Sequence, residues 1–202
     1  MLTAVALGAL LGVRHSVEPD HLAAVSTLVI AERSPARGAL LGALWGVGHT
    51  LALLAVGVAL ALLDTRLPPR LAEGFELAVA IMLILLGILA VRRALRAGVG
   101  PAHGHRHGPL IVGVVHGLAG SGSLTALVLA GLPSTAARLG YIVLFGLGLV
   151  AGMALLSGLA GVPLSRAGRS PQVARALGLA TGALSAVLGI GWGWPLVGGW
   201  LA

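Results

Sequence analysis

The chain has 202 residues, of which 57% belong to the apolar set AVILMFWYC, with 32 glycines besides. Only 9% are charged, against about 25% in a typical soluble domain, which is too little charge to cover a water-soluble fold of this size. All 13 basic residues are Arg and the formal net charge is +7, yet these Arg sit mostly in short gaps between apolar runs. There they read as topology determinants and not as a nucleic-acid footprint. The absence of Cys excludes disulfides, thiolate metal sites and thiol redox chemistry.

A helix needs about 20 apolar residues to cross the hydrocarbon core. Six stretches qualify in chain order: 2–30, 38–63, 71–95, 109–132, 135–161 and 175–201. None shows the ten-residue alternation of barrel strands. The expected fold is therefore an all-α polytopic membrane protein with about six transmembrane helices. Short connections at 31–37 and 64–70 separate the first spans. The stretch 96–108 is longer and carries His103, His105 and His107. The N-terminus lacks the basic stretch of a cleaved signal peptide.

The Arg distribution gives an orientation. Arg33, Arg37, Arg92, Arg93, Arg96, Arg106, Arg166, Arg169 and Arg175 fall on one side, and only Arg66, Arg70 and Arg138 on the other. The positive-inside rule then puts the His-containing loop in the cytoplasm and both termini outside. The two halves also resemble each other. Gly12-Val13-Arg14-His15 matches Gly113-Val114-Val115-His116, and Trp45-Gly46-Val47-Gly48 matches Phe145-Gly146-Leu147-Gly148, at offsets of 101 and 100 residues. Three spans per half is an odd number, so the second half is inverted in the membrane. The expectation is a single transmembrane domain over 1–202 built as a 3+3 inverted repeat, with repeat one at about 1–97, the loop at about 98–108 and repeat two at about 109–202. Inverted repeats with a site at mid-membrane are a transporter architecture.

Within the first span, Arg14, His15, Glu18, Asp20 and His21 put five ionisable groups in an apolar run. A charge at a helix centre costs roughly 2.5–3.5 kcal/mol on insertion scales, so such a cluster pairs internally or binds something. On an unbroken helix His15 and His21 point about 120° apart. Pro19 takes away the N–H that the His15 carbonyl needs and pushes Glu18 from helical angles. A kink or unwound turn there brings His15, Asp20 and His21 together around a cavity; the alternative reading of the segment is a water-exposed loop between two short apolar runs. Imidazole nitrogen with carboxylate oxygen suits Ni(II), Co(II), Zn(II) or Fe(II). Arg14 is expected to pair with Glu18, four residues on, or to sit near the membrane surface.

Other polar residues fall inside spans. His49, followed by Thr50, lies in span two, and His116 in span four, at the repeat equivalent of His15. Each reads as a ligand or gate, or as a packed core histidine. Ser121 and Ser123 read as hydroxyl ligands or as interhelical hydrogen-bond formers. The tract His103-Gly104-His105-Arg106-His107 reads as an accessory metal loop or as a solvated connection. Glu76 is expected at the interface, and Trp192, Trp194 and Trp200 as an aromatic belt at the outer face.

The pattern Arg14-His15-(four residues)-Asp20-His21 resembles the R-H-x-x-x-x-D-H signature of the nickel/cobalt transporter (NiCoT/NicO) family. The whole chain resembles its shorter six-span branch of urease-accessory-type nickel permeases, including Gly48-His49-Thr50 and His116…Ser121-Gly122-Ser123. The resemblance implies that His15, Asp20 and His21 select the metal and that His49 adds a polar group from span two. It also likens the His-containing loop to loops of efflux relatives. Asp20, where some efflux relatives carry Gly, tilts the implied direction towards uptake.

The expected function is transport of a divalent transition metal, Ni(II) first and Co(II) second, across the inner membrane, with no cofactor beyond the transported ion. The alternatives are an efflux permease and a non-transporting metal sensor or accessory factor. An enzyme is not expected: there is no H-E-x-x-H, and Ala119 stands where a G-x-S-x-G elbow around Ser121 needs Gly. No Walker A pattern is present either. The lipid bilayer and the metal ion are the expected partners, and a homo-oligomer or additional membrane subunits are compatible with the sequence.

Overall fold

The computed structural model describes residues 2–29, 34–63, 65, 67–96, 108–119, 134–167 and 170–201. Among them are seven helices and no strand: α1 (Leu2–His15), α2 (Pro19–Val29), α3 (Pro35–Leu62), α4 (Pro69–Leu95), α5 (Gly108–Leu118), α6 (Thr135–Ala167) and α7 (Pro171–Leu201). Prolines open α2, α3, α4 and α7, where the missing N–H would have had no helical partner.

Four helices, α3, α4, α6 and α7, are each long and apolar enough to cross a membrane. The first expected span is two consecutive helices, α1 and α2, broken at 16–18. Helix α5 covers the first part of expected span four, and 120–133, which include Ser121 and Ser123, lie outside the described residues. Leu10, Leu147, Leu155 and Val187 expose more than half of their surface. Together these features describe a multi-pass membrane protein whose outer face is suited to lipid and not to water.

Contacts between helices fix their directions. Helix α1 runs alongside α6, with Gly8 at Tyr141 and Gly12 at Phe145 and Leu149. Val29 at the end of α2 reaches Gly38 at the start of α3, so α1 and α2 continue through the layer in one direction. Helix α3 runs against α6, from Gly38 at Ser157 to Gly57 at Ile142, and alongside α5. Helices α4 and α7 run against each other, from Gly87 at Gly182 to Gly193 at Leu77 and Ala80. The Ser185 hydroxyl ties them further by donating to the Leu83 carbonyl at 2.8 Å.

These contacts come in mirrored pairs. Gly12 of α1 lies on the Phe145 carbonyl of α6, and Gly113 of α5 lies on the Trp45 carbonyl of α3; neither position has room for a Cβ. Gly148 meets the Ala9 carbonyl as Gly48 meets that of Leu110, and Gly46 meets Val150 as Gly146 meets Thr50. Small residues let backbones approach this closely, the usual basis of helix association in lipid. Trp45, Leu83, Leu149 and Met153 fill the interior.

Candidate metal site

The site is built at the break between α1 and α2. The Ser16 N–H still donates to the Gly12 carbonyl, but Val17 and Glu18 donate three residues back, to Arg14 and His15. This tighter winding ends a helix. Pro19 then opens α2, and the Leu22 N–H takes the Glu18 carbonyl. The His15 carbonyl, which Pro19 cannot serve, is thus satisfied by Glu18 at 3.1 Å. Two helix ends now meet where one helix would have splayed His15 and His21 apart.

The result is a cluster of four imidazoles and one carboxylate. Ring centroids of His15 and His21 are 4.5 Å apart, and those of His21 and His116 also 4.5 Å. His49 of α3 lies 5.3 Å from His15 and 5.4 Å from His21. His116 Nε2 donates to Asp20 Oδ2 at 2.8 Å, and His21 Nδ1 is 3.2 Å from Asp20 Oδ1 without hydrogen-bond alignment. All five residues are buried. Trp45 closes one side, stacked on His21 at 5.1 Å.

Six buried ring nitrogens of this cluster have no hydrogen-bond partner among the described residues: His15 Nε2, both of His21, both of His49, and His116 Nδ1. Native interiors seldom leave such groups unpaired, at about 1–3 kcal/mol each. Donor atoms of His15, His21 and His49 lie within 4.8 Å of one another, as do those of Asp20, His21 and His116. His21 belongs to both triads. Nitrogen and carboxylate oxygen in these numbers match borderline divalent metals. The partners outside the triads also fit. Glu18 Oε1 sits 2.9 Å from His15 Nδ1, which holds the proton on that nitrogen and turns Nε2 inward. A carboxylate behind a ligating imidazole commonly has this role.

A relative of stated function has the same extent. The urease accessory protein UreH of Bacillus sp. (strain TB-90) is 32% identical over 205 residues, covering 94% of this chain and 90% of the relative. The chain belongs to the UreH family. Two Arabidopsis thaliana proteins, Chloroplast protein FOR GROWTH AND FERTILITY 1 and 2, are 29% and 28% identical over 75% and 76% of this chain. The chain spans 48% and 45% of their lengths. No family model and no solved structure matches it. UreH-family membership and the all-helical membrane-type fold mark a protein that is not an enzyme.

The structure brings together His15, Asp20, His21, His49 and His116, all five residues the sequence singles out as ligands. It separates others. Arg14 is exposed, and Glu18 pairs with His15 instead of with it. Thr50 donates to the Gly46 carbonyl of its own helix at 2.8 Å and packs on Gly146, a helix-packing role. His103, His105 and His107 lie outside the described residues. Two further residues lie beside the cluster. Glu76 and Trp192, expected at the membrane interfaces, line the cavity of about 270 Å³ that the cluster opens into.

Proposed function

We propose that the protein is a permease for a divalent transition metal, Ni(II) first and Co(II) second, and that His15, Asp20, His21, His49 and His116 form its transport site. The observation that carries this reading is the set of six imidazole nitrogens at the helix break that have no partner among the described residues. They are arranged to replace the water shell of a cation. Such unwound backbone at membrane depth is tolerated where it lines a cavity. The resemblance to urease-accessory nickel permeases, together with the likeness to the urease accessory protein UreH, supports nickel as the first candidate.

The mirrored glycine contacts support the 3+3 inverted repeat, because each pairs equivalent positions of the two halves in exchanged order. The repeats would rock about the central site to expose it to each face in turn. With the Arg-rich connections inside, the termini lie outside and the protein works in the inner membrane as a single transmembrane domain, importing its ion. The ion is cargo, and no resident cofactor is required.

The test is radioactive nickel accumulation in cells lacking their own nickel importers and exporters, with empty vector, wild type and His21→Ala. Import raises accumulation above vector, and the His21→Ala variant returns it to vector level. Accumulation below vector, restored by the variant, would make the protein an exporter with the same site. Equal accumulation in all three, with the protein present in the membrane, would leave the sensor or accessory reading that the relative's name also fits.

A further inference from the structure

The cavity beside the cluster is acidic in a basic protein. Glu18, Asp20 and Glu76 line it, three of the chain's six acidic residues, and no Arg among the described residues does. Glu18 and Asp20 are engaged with histidines. Glu76 of α4 is half-buried and has no hydrogen-bond or ion-pair partner among the described residues. A lone carboxylate inside a span is costly and marks an ion pathway by default. The cavity holds a second sign of a ligand in the buried nitrogens of His21 and His49, which have no partner among the described residues.

Depth along the helices places Glu76 between the cluster and one face. It lies seven residues, about 10 Å, from the start of α4. Trp192 lines the same cavity nine residues, about 14 Å, from the end of α7, and Gly193 beside it packs on Ala80 and Leu77 of α4. The antiparallel pair puts both residues near the same face. His15, near the end of α1, and His49, midway along α3, lie about 20 Å in from that face. A cation crossing from the α3–α4 side therefore meets Glu76 about halfway to the histidines.

On the transport reading above, we infer that Glu76 is the capture residue of the pathway. Its carboxylate draws in a hydrated divalent cation from the face carrying the α3–α4 connection and the C-terminus, and holds it before it loses water to the histidine cluster. A fixed charge in a cleft with low-dielectric walls concentrates counter-ions and speeds their association. Glu76 therefore sets how readily the ion arrives and not how tightly the cluster holds it.

Initial rates of nickel uptake into liposomes holding purified wild type, Glu76→Gln or Glu76→Asp test this at low and high ionic strength. Equilibrium dialysis against radioactive nickel runs in parallel. Glu76→Gln is expected to raise KM about five- to tenfold at low salt with kcat within about twofold. The difference should shrink at high salt, Glu76→Asp should restore KM, and dialysis affinity should stay at the wild-type value. A wild-type KM in the Gln variant at both salt levels would overturn the proposal while leaving the transport reading intact. A loss of dialysis affinity as large as that of His49→Ala would also overturn it, by making Glu76 a ligand of the cluster. Failure of wild type itself to transport would instead remove the transport reading. Should the Gln variant not fold, Trp192→Cys in this Cys-free chain reports on the cavity with Glu76 in place. A cationic thiol reagent should then react faster than an anionic one of equal size, and equal rates would contradict the proposal.

Discussion

Helix α1 meets α6 through close backbone contacts that α5 repeats against α3, and the α3–α6 contact repeats itself in exchanged order, Gly46 on Val150 and Gly146 on Thr50. The chemistry is not repeated. Among the described residues, the first half supplies His15, Asp20, His21 and His49 of the buried site, and the second half only His116. The position that mirrors His49 is Leu149, wholly buried in the apolar core. Packing demands the same thing of both halves, since a backbone can approach another only where no Cβ intervenes. Ion binding demands only that enough ligands meet once. The close contacts thus recur on both sides while the described candidate ligands concentrate on one.

The largest effect should come from breaking the shared packing. Gly12→Leu and Gly113→Leu each force a side chain into the carbonyl of Phe145 or Trp45, and each is expected to cost about 3 kcal/mol or more. Gly74→Leu, with nothing near its Cβ position, should be close to neutral. Thermal unfolding of the detergent-solubilised proteins, read with size-exclusion profiles, checks this. Equal damage at Gly12 and Gly113 supports equivalent roles; damage at only one would mean that the mirrored contacts are not equally needed.

A smaller effect probes the chemical asymmetry. His49→Leu gives position 49 the residue of its mirror position, so the fold should persist with an unchanged melting temperature. Nickel affinity should fall at least about tenfold, since even partners behind the ligands are worth about 10–100-fold. Isothermal titration with nickel measures it. Unchanged affinity in a folded His49→Leu protein would take α3 out of the site.

Much of this was legible in the sequence because the membrane makes ionisable residues conspicuous. His15, Asp20 and His21 stand out in an apolar run, and Pro19 signals the break that gathers them. His49 and His116 are visible for the same reason, although only packing shows that they reach the same point. The limits of the four long helices follow from hydropathy to within six residues, whereas the first expected span is two helices and the end of the fourth lies outside the described residues. Glu76 was legible only as a residue near a helix start, and nothing in the sequence showed that it lines the cavity. Its cavity is created by the antiparallel pairing of α4 with α7, which no local pattern encodes. The Arg14–Glu18 pair expected from four-residue helical spacing fails because the helix ends between the two residues. Glu18 then turns to His15 instead. Trp45 gave no signal beyond its place in the repeat, and its stacking on His21 is purely tertiary.

The central claim is that this chain alone moves a divalent metal through the His21-centred cluster. Nickel influx into liposomes containing only the purified protein tests it most directly, followed with a trapped metal-sensitive dye and compared with His21→Ala. The account predicts saturable influx in wild type and leak-level influx in the variant. Leak-level influx in wild type, with nickel binding intact by dialysis, would contradict it and leave a metal-binding accessory protein that does not transport.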